Sequence, residues 1–492
     1  MTTEDERAPA VRAWLAPGIV LFAVGAKLGL VRFFGSDQPY ADQWAGEGAA
    51  LFRSSLYGRL GWLNFFGPYG EHHPALTRIM AWGLFRLNGR QWDARVEMVA
   101  NLLVYAAFLW VFWRLAARVL GGRWSGPAAI AAAVLFALPA NRENFLWGFQ
   151  SQFLLLLLCG VAHILGTIRA DRLGLRWAGA QLAGLAGLFS IAAGPASAAA
   201  LAVWAGWRIA RGGRRPLNWA TLAANLLLVG VGLWLLPPAA AGPPARADSP
   251  GGLVLAWGWL LSWPLPGPWW CAWVYLPLAI LLALRPRAAG GDGGLLMVSG
   301  AWVALVALAI AFGRGAHPDA IAVRYYDILV VGLYLNGLAA AKLVLDAAAG
   351  RRRLVGRLAL LWVALVAWPL YRMNQPQEVG PLLARHRAVS DQQAAAIAKL
   401  FATRDPAALS ADPEVRGRFP HLQLAVDLLL DPRMRPLLAP SLTADGHAGP
   451  LSRWAPRIAS LWWLLLAAGA GLLAVGVVPP RFGVASRRAF FA

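Results

Sequence analysis

Cysteine is nearly missing from this chain, with only Cys159 and Cys271 among 492 residues. Both fall in or at the edge of apolar runs. That excludes a disulfide framework and leaves them as small buried hydrophobes. Charge is scarce too: 14% of residues are charged and 59% are hydrophobic, where a soluble domain is about a quarter charged and about half apolar. Acids are the scarcer sign, 24 Asp+Glu against 45 Lys+Arg. In a soluble protein a net charge of +21 would point to nucleic acid. No RNA- or DNA-binding motif of the usual kinds is present, so no nucleic-acid partner is expected. There is no internal repeat of fixed period and no low-complexity tract beyond the Ala/Pro loop at 237–250. The polar segment Met1–Arg12 is followed by an apolar run without a clear small-residue cleavage site. That run reads as an uncleaved first span rather than a signal peptide.

What is present is apolar sequence in runs of about 20 residues, each long enough to cross a bilayer core of about 30 Å. The pattern predicts an all-α, polytopic membrane bundle of twelve transmembrane helices. They fall at about 13–34, 95–117, 125–139, 149–168, 177–193, 196–211, 217–237, 269–284, 294–312, 325–346, 355–371 and 457–478. With the N-terminus inside, all seven inside segments are basic, from Arg7 and Arg12 through Arg351–Arg353 to Arg487 and Arg488. The short outside loops carry only Arg142, Arg246, Arg314 and Arg324. That asymmetry fits the positive-inside rule and predicts both termini in the cytoplasm. The expected organisation is a bundle over 1–371, including a first extracytoplasmic loop at 35–94, then an extracytoplasmic helical loop at 372–456. A last span and cytoplasmic tail fill 457–492.

Both long loops have internal pattern. Stretches around Trp44–Trp62 and Pro74–Leu87 suit amphipathic helices in the interface, where Trp44, Trp62, Phe65, Phe66, Trp82 and Trp92 would be favoured. In the late loop, Ser390-Asp391-Gln392-Gln393 fits a capping box opening a helix through Leu400. A second helix is expected over Leu422–Leu430, closed by Asp431-Pro432.

The spans read as nearly free of acids and bases, with His163, Asn225 and Asn336 as the main polar exceptions. That scarcity argues against a proton-coupled transporter, and His163 reads as a helix-packing hydrogen bonder. The polar clusters lie outside the spans. They are Ser36 to Trp44, Tyr69 to Pro74, Asn141 to Gln152, and Gly313-Arg314 with Arg324-Tyr325-Tyr326-Asp327. Acids, amides and arginines predicted at one membrane level are what a polar site over an apolar bundle requires. Each cluster also has a plainer reading. Asp37 or Asp42 would cap a helix, Gln150 and Gln152 would bond between helices, and Arg314 and Arg324 would flank a span. Glu71-His72-His73 would be solvated loop or, with other carboxylates, a divalent-metal site. It lacks the i, i+4 histidine spacing of zinc hydrolases, so a divalent metal is the one cofactor candidate and none is required.

The arrangement resembles the integral-membrane glycosyltransferases of the C type (GT-C). Within them it is most similar to a poorly characterised bacterial group. The likeness rests on Asp42-Gln43-Trp44, Glu71-His72, the run Glu143 to Gln150, the pair Arg324-Tyr325 and the late Phe419-Pro420. Two features depart from the group: His73-Pro74 stands where a basic residue follows the Glu-His pair, and Asp37 and Asp42 are separated where two adjacent acids are common. The resemblance implies a GT-C-like fold in a bacterial inner membrane. It also implies transfer of a sugar from a polyprenyl-phosphate donor to an envelope glycan, lipid or protein acceptor on the extracytoplasmic face. On that basis Asp42 is the expected base, with Asp37 second. Arg314 and Arg324 are the expected phosphate partners, since the guanidinium fork suits phosphate oxygens. Glu71, His72, His73, Glu143, Asn144, Gln150, Gln152 and Tyr325 would contact substrate, and Trp44 and Trp147 would stack on sugar or line the entrance for the lipid chain. The alternatives are a transporter or flippase of lipid-linked saccharide, and a glycan polymerase or ligase. The latter would have its key residues among Arg385, His386, Arg387, Arg418 and His421.

Overall fold

The structure is a computed structural model that describes residues 13–120, 124–237, 246–284, 292–316, 321–443 and 447–477. Arg7, Arg12, Arg123, Arg285, Arg287, Arg481, Arg487 and Arg488, on which part of the orientation argument rests, lie outside the described residues. Among the described residues the fold is all-α. The only β pairing is one isolated bridge, Tyr69 to His72.

Among the described residues, seven helices are long and apolar enough to cross a membrane: Leu15–Phe34, Ala94–Leu120, Gly148–Ile168, Pro216–Trp234, Gly293–Arg314, Val323–Asp346 and Ala349–Met373. An eighth crossing is formed if Pro450–Ser460 and Trp462–Val477, bent by 49° at their junction, act as one. The chain is thus a multi-pass membrane protein. The other four expected spans fall on shorter helices: Ser125–Ala137, Leu175–Leu188, Ala196–Ala210 and Leu276–Leu284. At about 1.5 Å rise per residue these fall short of a bilayer core. The chain breaks them where glycine and proline intervene, at Gly194-Pro195 and around Pro268 and Pro277.

The first and last helices pack side by side at backbone distance. A Cβ on Gly25 would sit 2.6 Å from the Leu466 nitrogen, and one on Gly469 would sit 2.3 Å from the Phe22 nitrogen. Glycine is what permits this close membrane-type packing. His163 behaves as expected, its ring nitrogens meeting Ser197 Oγ at 3.0 Å and Gln181 Oε1 at 3.4 Å on neighbouring helices. The bundle is not otherwise free of charge, however. Lys27, Glu97 and Asp327 lie inside three spanning helices and are almost wholly buried.

A second hydrophobic core lies beyond the bundle. It joins Trp44, Phe52, Phe85 and Trp92 of the first long loop to Ile397, Leu409, Phe419 and Leu428 of the late segment. Trp44 and Trp92 are therefore core residues, 5.4 Å apart edge to face, and not interfacial anchors. Trp62, Leu63 and Leu87 keep the strongly exposed position an interfacial helix needs. The late segment shares its core with the first long loop, which supplies six of the twenty buried residues from some 350 positions earlier. Its main helix, Pro376–Thr403, begins at Pro376 and runs straight through the expected capping box. The Ser390 hydroxyl bonds back to the His386 carbonyl at 2.9 Å, and Gln393 Nε2 donates to the Pro39 carbonyl at 2.8 Å. Mid-helix serine often bonds this way, so the motif does not mark a start. The Leu422–Leu430 helix, by contrast, ends at Asp431 as its sequence suggests.

Candidate functional site

The chain approaches the site through a turn. Ala41 adopts a left-handed backbone conformation, φ 48°, which costs a non-glycine residue about 1–3 kcal/mol. The Ala41 N–H donates to the Arg418 carbonyl of the late segment at 3.1 Å, and Gln43 Oε1 accepts from the Tyr40 N–H at 3.1 Å. The turn presents the Asp42 side chain and leads into a π-helix, Trp44–Arg53. Widened turns of this kind concentrate at functional sites.

Asp42 accepts a hydrogen bond from the Tyr69 hydroxyl at 3.0 Å. Burial lifts its carboxyl above the ordinary carboxylate range, against the opposing pull of Tyr69, Arg324, His421 and Arg314. Burial and the neighbouring Asp42 in turn push the Tyr69 phenol up, so Tyr69 stays a donor. Around this acid stand two acid–arginine pairs. Glu71 pairs with Arg314, both partly exposed. Glu143 lies 3.8 Å from the Arg324 guanidinium and also accepts the Arg324 backbone N–H at 3.0 Å. His72 accepts the Ala192 N–H at Nδ1, 3.1 Å, so its proton is on Nε2, which faces Glu71 at 3.7 Å. Burial lowers the His72 pKa to about 4, and the ring is neutral above that pH.

Beneath the site, four fully buried residues lock the loops together. Lys27 donates to the Leu138 carbonyl and to Asn141, and Asn141 donates to Asp327. Asn144 donates to Asp327 at 2.7 Å and to the Arg324 carbonyl at 2.8 Å. Asn144 thus ties the Arg324 backbone to Asp327.

No family model, curated protein or solved structure matches this chain.

The residues singled out from the sequence divide into two sets. Asp42, Glu71, His72, Glu143, Arg314 and Arg324 come together within one electrostatic neighbourhood. Trp147 joins its edge, its ring 4.8 Å from Tyr40 and edge to face with it. The others stand apart. Asp37 is occupied by Ser441, accepting its backbone N–H at 3.1 Å and its hydroxyl at 2.7 Å. His73 sets its two ring nitrogens against the Phe66 and Leu235 carbonyls, at 2.8 and 2.7 Å. Gln150 and Gln152 are buried, and each has a side-chain oxygen without a partner. Tyr325 alone of these touches the cluster, lying under the Arg324 guanidinium at 5.2 Å, and it packs on Phe153 at 5.7 Å. Trp44 lies in the second core, where no sugar reaches it. Among the described residues, no group of three or more His, Cys, Asp or Glu is arranged to hold a metal ion.

Three further residues meet at the site: Tyr40, which the sequence offered only within the Ser36 to Trp44 cluster, and Arg418 and His386, offered only under the polymerase or ligase alternative. Tyr40 lies under the Arg418 guanidinium at 4.4 Å, and its ring centroid is 6.2 Å from that of His386. Arg418 and His386 belong to the late segment, so only the shared second core brings them to Asp42.

Proposed function

We propose that this protein is a GT-C-like membrane glycosyltransferase. It takes a sugar from a polyprenyl-phosphate carrier and places it on an envelope glycan, lipid or protein acceptor at the extracytoplasmic end of a twelve-crossing bundle, with both termini cytoplasmic. The observation that carries this reading is Asp42. It is a carboxylate made more basic by burial, held by one phenol, and ringed by cations at one end of an apolar bundle.

The chemistry follows from that placement. Asp42 takes the proton of the acceptor O–H as the acceptor oxygen bonds to the sugar's anomeric carbon. The bond from that carbon to the carrier phosphate oxygen breaks, and the phosphate leaves with the electron pair. Cations near Asp42 stabilise the departing charge. Glu71 and Glu143, held by their arginines, offer carboxylate acceptors to sugar hydroxyls. A glycan polymerase or ligase is the second reading. It is favoured by the position of Arg418 and His386, both in the late segment, beside Tyr40.

Profiling of envelope glycans and glycolipids in a deletion strain tests the proposal, with complementation by wild type and by Asp42→Asn. A lost or shortened glycan, restored by wild type and not by Asp42→Asn, is the expected result. An unchanged glycan profile on deletion would sink it. Accumulated lipid-linked repeat units would favour the polymerase or ligase.

A further inference from the structure

The arginines at the site are not equivalent. Arg314 and Arg324 are each already matched by a carboxylate, Glu71 and Glu143. Arg418 and Arg142 are not: among the described residues, no acid lies within ion-pair distance of either. Glu414, the acid nearest Arg418 in sequence, is taken by Arg385 at 2.6 Å. Arg418 is also 94% buried, since it retains 6% exposure. Its guanidinium stacks over Tyr40 and spends one N–H on the His386 carbonyl at 3.0 Å. His386 adds a ring Nε2 that is buried and without a hydrogen-bond partner.

A buried, uncompensated cation is costly unless something anionic completes it. Arg418 is such a cation, and the half-buried Arg142 acts with it on one imidazole. Burial together with Arg418 and Arg142 lowers the His386 pKa to about 3, so the ring is neutral and does not relieve the charge excess. A phosphate fits this vacancy of negative charge better than a sugar hydroxyl does. It brings one to two charges and oxygens pointing several ways, which suits two guanidinium forks and an imidazole N–H.

We propose that Arg418, Arg142 and His386 form a phosphate-binding subsite beside Asp42, built jointly by the late segment and the 139–150 turn. The ligand class is a phosphate ester. That it is the carrier lipid's phosphate rests on the function proposed above. Arg314 and Arg324 then serve to hold Glu71 and Glu143 in place, not to bind phosphate.

The test uses the full-length protein in lipid nanodiscs. Three probes are titrated by tryptophan fluorescence and by melting-temperature shift: a polyprenyl monophosphate, the matching polyprenol, and inorganic phosphate. The expected result is that the lipid phosphate binds more tightly than the alcohol. Arg418→Gln and Arg142→Gln should weaken it by about tenfold or more, the worth of one charge-assisted contact, while Arg314→Gln changes it little. Arg418→Lys and His386→Gln carry the test if Arg418→Gln does not fold, and each should show an intermediate loss. Unchanged binding in the Arg418 and Arg142 variants would overturn the subsite and leave the carrier reading intact. Binding of inorganic phosphate, but not of the lipid phosphate, in an Arg418-dependent way would keep the subsite and remove the carrier. If no phosphate probe binds, both fall.

Discussion

Two polar regions sit one above the other in this protein, and they treat charge in opposite ways. In the lower one, Lys27, Asn141, Asp327 and Asn144 are fully enclosed and joined in a chain of hydrogen bonds that leaves only the Asn144 side-chain oxygen without a partner. In the upper one, Asp42, Glu71 and Glu143 are only partly buried, Arg314 is exposed, and Arg418 has no acid within ion-pair distance among the described residues. A network so nearly closed has little left to offer a ligand. It fixes the loops that carry Glu143 and Arg324. An incomplete one, over apolar surroundings, has its remaining valence directed at a partner. The contrast separates positioning from chemistry in a region where residue type alone does not.

The sharpest way to break that contrast is to remove one charge from each region. Asp42→Asn should lower transfer by roughly 10²–10⁴-fold, the usual worth of a general base, with the melting temperature of the purified protein unchanged. An Asp42→Asn protein that melts early would place Asp42 in the structural region instead. Lys27→Met should do the reverse. It strands Asp327 without its counter-charge and should cost about 3–5 kcal/mol of stability, with the double variant Lys27→Met/Asp327→Asn recovering most of it. Thermal unfolding in detergent reads both, and equal stability of the single and double variants would refute the pairing.

A second closed region sharpens the comparison through pH. Glu47 shares Gln43 with Glu97 and accepts the Trp92 indole N–H at 3.2 Å. Burial lifts its pKa from 4.5 to about 7. Between those values the folded protein keeps a proton that the unfolded chain has released. Stability from this group is therefore full below about 4.5 and is lost as pH rises through about 7. Glu47→Gln cannot lose that proton. Its stability relative to wild type should grow by about 3 kcal/mol from pH 4.5 to 8, measured by paired melts across that range. His72 and His386 slope the other way, because burial holds both below their ordinary value. A flat difference curve would show that Glu47 does not titrate there.

Smaller effects separate the turn from the surface. Ala41→Gly should stabilise by about 1 kcal/mol, since glycine adopts the left-handed conformation without strain. It should also lower transfer by loosening Asp42, and a stabilised variant with full activity would detach the strain from the function. The exposed pair Arg385–Glu414 should matter least, with Arg385→Ala leaving the melting temperature within error. A clear shift there would mean that the late segment leans on its surface charges more than on the shared core.

Helical class and membrane insertion were legible from the chain because both follow from local quantities, the length and apolarity of each run. Seven of the expected spans meet that test in the folded protein, and the short ones fail it at glycines and prolines that were visible in advance. The acid and arginine motifs Asp42, Glu71, Glu143, Arg314 and Arg324 were legible too. Polar groups beside apolar runs stand out by contrast, and a shared membrane level gave a reason for them to meet. The roles within the cluster were not legible. Asp37 and Asp42 look alike in sequence, yet Ser441, more than 400 positions away, takes up Asp37. Lys27 passed as one charge in an apolar run because its partners lie more than 100 residues downstream. Arg418 reaches Tyr40 only because the late segment and the first loop bury their aromatic and aliphatic residues in one core. Composition and local pattern thus determined an all-α chain built for a membrane, with candidate charges at the helix ends. Which charges are matched, and which are left open, was decided only by long-range packing, because neutralisation is a property of pairs and the pairs are distant in sequence.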